Sequence, residues 1–174
     1  LNLVDVIKTP VHGISYLFVL SKKELNKNKI KNIIDVEKVR GLQTKKTYDD
    51  YRNKVYDVAR DFREALDRAR ELDYKIIGYG AAAKGMTFLN FTDEKLDYII
   101  DDNPLKQNLY TPGTNIEIKS VELLNEYSDD DKILFVPLAW NFYDEIKTRI
   151  LKVRKNKNDR FLKYFPELKE EKWE

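Results

Sequence analysis

One stretch leaves this chain fewer folding options than any other: Lys75-Ile76-Ile77-Gly78-Tyr79-Gly80-Ala81-Ala82-Ala83-Lys84-Gly85. Lys75 to Tyr79 read as a short buried strand, and the residues after Gly80 read as the start of an alanine-rich helix. Gly78-x-Gly80-x-x-Ala83 fits the strand–turn–helix fingerprint of a nucleotide site. In that pattern Gly78 allows the tight turn, Gly80 lets a phosphate approach without meeting a Cβ, and Ala83 lets helix and strand pack closely. The first N–H groups of the helix face the ligand, and the macrodipole adds about 0.3–1 kcal/mol for an anion there. Ala81, Ala82, Ala83, Lys84 and Gly85 are therefore the expected pyrophosphate cradle, with Lys84 adding a positive charge at its mouth. A tight βα turn that binds nothing has the same local pattern.

Downstream, strand and helix signals alternate. Leu96 to Ile100 read as a second strand, Ile116 to Ile118 as a third, Lys132 to Leu138 as a fourth buried on both faces, and Arg160 to Phe165 as a fifth. Between them fall a helix from Ala82 to Asn90, a Ser120-capped helix from Val121 to Tyr127, and an amphipathic helix opened by Asn141 and running through Ile146 and Ile150. The basic stretch Lys152 to Lys157 reads as a solvated loop. The expected fold is α/β, a Rossmann-like mostly parallel sheet of order 3-2-1-4-5, with the ligand crevice beside its first strand. Tyr79 ends that strand and would stack on a ligand or fill the sheet edge. Asp101 and Asn103 stand where an acidic residue meets a ribose hydroxyl, about 20 residues after the fingerprint, and equally begin an Asn-Pro turn. Lys106 and Gln107 would reach a phosphate or a base edge. Pro112-Gly113-Thr114 carry a turn signature with positive φ at Gly113. Trp140 is a pocket wall or a helix-start anchor.

Upstream, Leu3 to Ile7 and Ile14 to Leu20 form a β-hairpin, with Tyr16, Phe18 and Leu20 on one face. A two-stranded hairpin is marginal alone. A short helix near Asp35 to Arg40, closed by Gly41, follows. From Tyr48 to Asp73, apolar residues recur at three- and four-residue steps: Tyr48, Tyr51, Val55, Val58, Phe62, Leu66, Ala69 and Leu72. This long amphipathic helix, roughly 40 Å at 1.5 Å per residue, reads as a packing surface and suits a strut between domains. The expected organisation is a hairpin over residues 1–20, a linker and long helix over 21–73, the sheet domain over 74–168 and a tail over 169–174.

Gly78-Tyr79-Gly80-Ala81-Ala82-Ala83-Lys84-Gly85, then Asp101-x-Asn103-Pro104-x-Lys106-Gln107, then Tyr110-x-Pro112-Gly113-Thr114, then Trp140-Asn141 make a combined signature. It resembles the C-terminal domain of the S-adenosylmethionine-dependent sugar C-methyltransferases, which act on nucleotide-linked keto-sugars. Leu3-Val4-Asp5-Val6, Pro10-Val11-His12-Gly13-Ile14-Ser15 and Phe165-Pro166-Glu167-Leu168 extend the resemblance over most of the chain. The resemblance implies a reaction in which a base removes a proton beside a sugar keto group and the enolate carbon attacks the methyl of S-adenosylmethionine. It assigns the base and the methyl-donor site to a domain before Leu1, whose sheet the hairpin would complete. On that basis this chain alone is inactive, binds no cofactor itself, and holds the nucleotide-diphosphate sugar for its neighbour. A second copy of the chain, meeting it through the hairpin or the long helix, is a further expected partner. His12, the only imidazole, is the one candidate base. Where the family shows His-Gly-Gly-Ser, this chain has His12-Gly13-Ile14-Ser15, so the loop is stiffer, and a plain turn histidine is the other reading.

Composition narrows the alternatives. The chain has no cysteine, one histidine and a net charge of +2, which removes disulfides, thiolate or histidine-cluster metal sites, and a general argument for nucleic acid. No apolar run is long enough to span a bilayer and no signal peptide is visible, so a cytoplasmic setting is expected. Two alternatives stay open: a stand-alone nucleotide or nucleotide-sugar binding module, and an NAD-dependent oxidoreductase suggested by the fingerprint and Asp101.

Overall fold

The computed structural model describes residues 1–11, 14–23 and 27–172, and the chain divides into two compact units, Leu1–Val55 and Tyr56–Glu174. In the first unit, β1 (Asn2–Thr9) pairs antiparallel with β2 (Ser15–Ser21), with a register shift between Leu3 and Asp5. Helix α1 (Lys27–Val39) packs on β1, where Lys29 Nζ donates to Asp5 Oδ2 at 2.7 Å. This helix is longer than the Asp35–Arg40 segment expected, and Ile30, Ile33 and Ile34 extend its apolar spacing upstream. Gly41, at φ +73°, closes it. Tyr16, Leu17, Phe18 and Leu20 of β2 all remain more than half exposed. His12 and Gly13 lie outside the described residues.

Helix α2 (Lys45–Glu71) runs across the boundary between the units. Its apolar stripe is buried only from Ala59 onward: Ala59, Phe62, Ala65, Leu66 and Ala69 are core, whereas Tyr48 and Tyr51 are exposed. The half of α2 after Tyr56 packs its stripe into the second unit, as a packing surface would.

That unit is a six-stranded sheet of order β5-β4-β3-β6-β7-β8. The strands are β3 (Tyr74–Tyr79), β4 (Tyr98–Ile100), β5 (Ile118–Lys119), β6 (Lys132–Pro137), β7 (Arg160–Lys163) and β8 (Lys169–Lys172). The first five are parallel, in the expected 3-2-1-4-5 order counted from β3. Residues 169–172 are not a tail. They pair antiparallel with β7 and form a sixth, charged edge strand, Lys-Glu-Glu-Lys, which carries no apolar alternation to reveal it. At the other edge the chain itself shields β5: Asn108 N–H donates to Ile118 O at 2.7 Å and Ile118 N–H to Leu109 O at 2.8 Å.

Alternation along the strands builds two core layers. Ile76, Ile99, Leu134, Val136 and Leu162 face α2 and α3 (Ala83–Thr92). Ile77, Ile100, Ile133, Phe135 and Phe161 face α4 (Tyr143–Val153) and the 3₁₀ segment Val121–Glu126. The last of these was expected as an α-helix capped by Ser120, but it has the tighter winding and Ser120 makes no side-chain cap bond. On the first face, Phe88 stacks on Tyr164 at 4.2 Å between centroids, and Phe62 meets both edge-on. No helix among the described residues is long and apolar enough to cross a membrane.

The stretch Lys152–Lys157 is not simply solvated. Arg154 and Asn156 alternate inward, at 5% and 6% exposure, between exposed lysines. Arg154 Nε donates to Asp159 Oδ2 at 2.8 Å, and its other nitrogens donate to the carbonyls of Tyr127, Ser128 and Asp131. Asp159, 1% exposed, also accepts the Ile133 N–H at 2.9 Å. One arginine thereby ties the end of α4 to the segment that enters β6.

Arg154→Met should cost about 3–5 kcal/mol in urea unfolding, since it strands a buried carboxylate and three carbonyls. A second expectation concerns β8. The hydrogen bond from Lys147 leads in holding Glu171 at about 2, below its ordinary 4.5, against opposing desolvation and with help from Lys169. A depressed carboxylate stabilises the fold above its unfolded value and loses that contribution as pH falls through the folded value. Thermal melting should therefore show a stability gap between wild type and Glu171→Gln that is full above pH 4.5 and closes toward pH 2.

Candidate functional site

The turn after β3 is made at Gly80, not at Gly78. Gly80 has φ +91°, its N–H donates to Ile100 O at 2.7 Å, and its carbonyl accepts the Ala82 N–H at 2.8 Å. Gly78 is an interior strand residue paired with Ile99 and Val136. A Cβ there would stand 2.9 Å from the side chains of Leu138 and Leu96, so this glycine serves packing. The close helix–strand contact expected of Ala83 falls to Gly85. Ala83 is exposed, whereas a Cβ on Gly85 would lie 2.6 Å from Leu138 Cβ.

Asp101 organises this turn. Its Oδ2 accepts the Ala81 N–H at 2.8 Å and Lys106 Nζ at 3.0 Å, and its Oδ1 accepts the Asn103 N–H at 2.9 Å. Lys106 also reaches Ala81 O at 3.0 Å, and Gln107 Nε2 donates to Asp101 O at 2.9 Å. Asn103 Oδ1 accepts the Leu105 N–H. The structure thus brings Ala81, Asp101, Asn103, Lys106 and Gln107 together as one loop, bonded to itself. Among the described residues, the N–H groups of Ala83, Lys84 and Gly85 meet no acceptor, as the first turn of a helix requires. Lys84 Nζ sits 4.7 Å over the Trp140 ring, which packs on Phe165 at 4.4 Å.

On the α4 side of the same strand ends lies a cavity of about 290 Å3. Tyr79, Gly80, Asp101, Asp102, Ala139, Phe142, Glu145, Ile146 and Arg149 line it. It sits where strand order reverses between β3 and β6, the position at which open α/β sheets hold ligands. Tyr79 donates to Asp102 Oδ1 at 2.7 Å, and Arg149 pairs with the other carboxylate oxygen. Burial, and then the bond to Asp102, push the Tyr79 phenol up, so it stays protonated as a donor. Asp102, Phe142, Glu145 and Arg149 escaped the sequence reading. Successive residues point to opposite faces of a strand, which sends Asp102 to α4 while Asp101 turns to α3; that alternation was the one available signal.

Other expected site residues stand elsewhere. Asn90 Nδ2 donates to Pro112 O at 3.0 Å, and Gly113, φ +84°, approaches so closely that a Cβ would meet Asn90 Oδ1 at 1.7 Å. Thr114 is buried against the Thr111 hydroxyl at 2.8 Å. Pro112, Gly113 and Thr114 therefore dock on the last turns of α3 and do not line the cavity. Asn141 caps nothing. It is exposed inside a 3₁₀ turn, Trp140–Phe142, and α4 begins at Tyr143.

The family model for the C-methyltransferase C-terminal domain matches residues 10–166. Comparison with curated proteins finds no match.

The turn's dependence on Asp101 can be checked without any ligand. Asp101→Ala should cost about 1–3 kcal/mol by leaving part-buried donors unpaired, and amide hydrogen exchange at Ala81 and Asn103 should accelerate selectively. Gly85→Ala should cost a similar amount, about 1–3 kcal/mol of overpacking, read as a lower melting temperature.

Proposed function

This chain belongs to the C-methyltransferase C-terminal domain family, and from that premise we propose that it holds the nucleotide-linked keto-sugar such an enzyme methylates. The observation that carries the reading is the pairing of two features at one end of β3. The uncommitted N–H groups of Ala83, Lys84 and Gly85 open α3, and a cavity opens beside them at the switch point. A diphosphate is the ligand group that suits a helix start with a lysine in its first turn. The remaining ligand then extends over the strand ends. Binding energy from this non-reacting half would orient the sugar for chemistry elsewhere.

S-adenosylmethionine, the methyl donor in this reading, requires a cradle of its own. The described residues contain one strand–glycine–helix turn, and the reading gives it to the sugar nucleotide. No step of methyl transfer is assigned to them. The donor and the proton-abstracting base belong, in this proposal, to a neighbouring domain in a cytoplasmic enzyme. The oxidoreductase alternative is weakened at Asp101, because two N–H groups and Lys106 already hold the carboxylate that would meet a ribose.

Isothermal calorimetry tests the reading. Thymidine-diphosphate glucose should bind at least tenfold more tightly than NADH, and Lys84→Glu should weaken it at least tenfold with an unchanged circular dichroism spectrum. Preference for NADH, or indifference to Lys84→Glu, would overturn it.

A further inference from the structure

The charge lining the cavity says which part of a ligand belongs there. Its charged side chains are three carboxylates, Asp101, Asp102 and Glu145, against one guanidinium, Arg149. Asp101 is turned away to Lys106 and the Ala81 N–H. That leaves Asp102 and Glu145 facing the space, with Arg149 already paired to Asp102. A phosphate placed here would meet net negative charge. A neutral hydroxyl is not repelled by that charge and can use it, since an ionised carboxylate only accepts hydrogen bonds and a hydroxyl donates one. Its apolar lining includes Ala139, Ile146 and the half-exposed ring of Phe142. Carboxylates and an aromatic ring in one lining suit a ring with hydroxyls on its edge and C–H groups on its face. At about 290 Å3 the space takes one such ring rather than a whole sugar nucleotide, being at the small end of the roughly 300–1,000 Å3 of ligand pockets.

We infer that this cavity binds a hydroxylated furanose or pyranose ring of the ligand, with Asp102 as the residue that reads its hydroxyls. The inference rests on the reading above and divides the site in two: diphosphate on the α3 side, sugar ring on the α4 side. Asp102 is suited to the task because Tyr79 and Arg149 each hold one of its carboxylate oxygens. Each of its oxygens has one protein donor and a second lone pair for the ligand. Glu145, one turn before Arg149 on α4, supplies a second acceptor. Asp101, its neighbour in sequence, is a positioning residue for the turn.

Calorimetry with three probes tests this: pyrophosphate, thymidine diphosphate and thymidine-diphosphate glucose, each against wild type, Asp102→Ala and Glu145→Gln. Asp102→Ala should weaken ring-bearing probes at least tenfold and leave pyrophosphate unchanged. Weakening of thymidine diphosphate as well as the glucose conjugate assigns the cavity to the furanose. Weakening of the conjugate alone assigns it to the pyranose. Glu145→Gln removes a charge on an exposed helix position, and a several-fold loss confined to the same probes supports the assignment if Asp102→Ala lowers the melting temperature. Equal loss across all three probes, or none in either variant, overturns the inference and leaves the diphosphate reading standing. Failure of wild type to bind any of the probes overturns both.

Discussion

The Asp101 carboxylate is the interaction on which the rest of the site depends. It lies at the end of β4 yet accepts the N–H of Ala81, one residue beyond the Gly80 turn that follows β3. A buried carboxylate is tolerable only when charge and hydrogen bonds answer it, and Lys106 and the Asn103 N–H complete that set. The chain leaving β3 is thereby directed into α3 with its first turn uncovered. Without this anchor, a glycine at positive φ followed by three alanines has little to hold its direction, since alanine side chains offer no hydrogen bonds.

The same sheet separates two environments that share one mouth. Strand alternation sends Ile76 and Ile77, or Ile99 and Ile100, into different core layers. It does the same for Asp101 and Asp102 where β4 ends. One carboxylate becomes part of the α3 turn and the other part of the α4 cavity. A ligand lying across the strand ends meets both, and the chemistry each presents differs because of a single step in register.

Much of the second unit was legible because it rests on local pattern. Continuous apolar runs marked β3 and β6, and the glycine turn marked α3. The alternation of strand and helix then pointed to a parallel, Rossmann-like sheet, whose 3-2-1-4-5 order the first five strands follow. What escaped depends on partners distant in sequence. Lys169–Lys172 becomes a strand only because β7 offers it an edge. Arg154 and Asn156 look like loop residues until the carbonyls of Tyr127 to Asp131 come to meet them. Gly85 looked like phosphate chemistry, whereas Leu138, just past the end of β6, sets its size limit. Pro112 to Thr114 carry a turn that reads the same at either end of a sheet, and only the clasp by Asn90 shows which end it occupies. Arg149 gave no local signal, because one arginine on a polar helix face resembles any other.

The two flanks of the sheet carry a consequence for assembly. Lys-Glu-Glu-Lys along β8 sets charges of both signs on one border, and the segment around Asn108 to Tyr110 already occupies the hydrogen-bonding positions of β5 on the other. Borders so finished resist extension by a foreign strand, because an incoming backbone would have to strip charged side chains of water or displace the chain's own ladder. Recognition by this unit is thereby directed to side-chain surfaces and loop ends, and its sheet gains protection against the runaway stacking to which open sheets are prone.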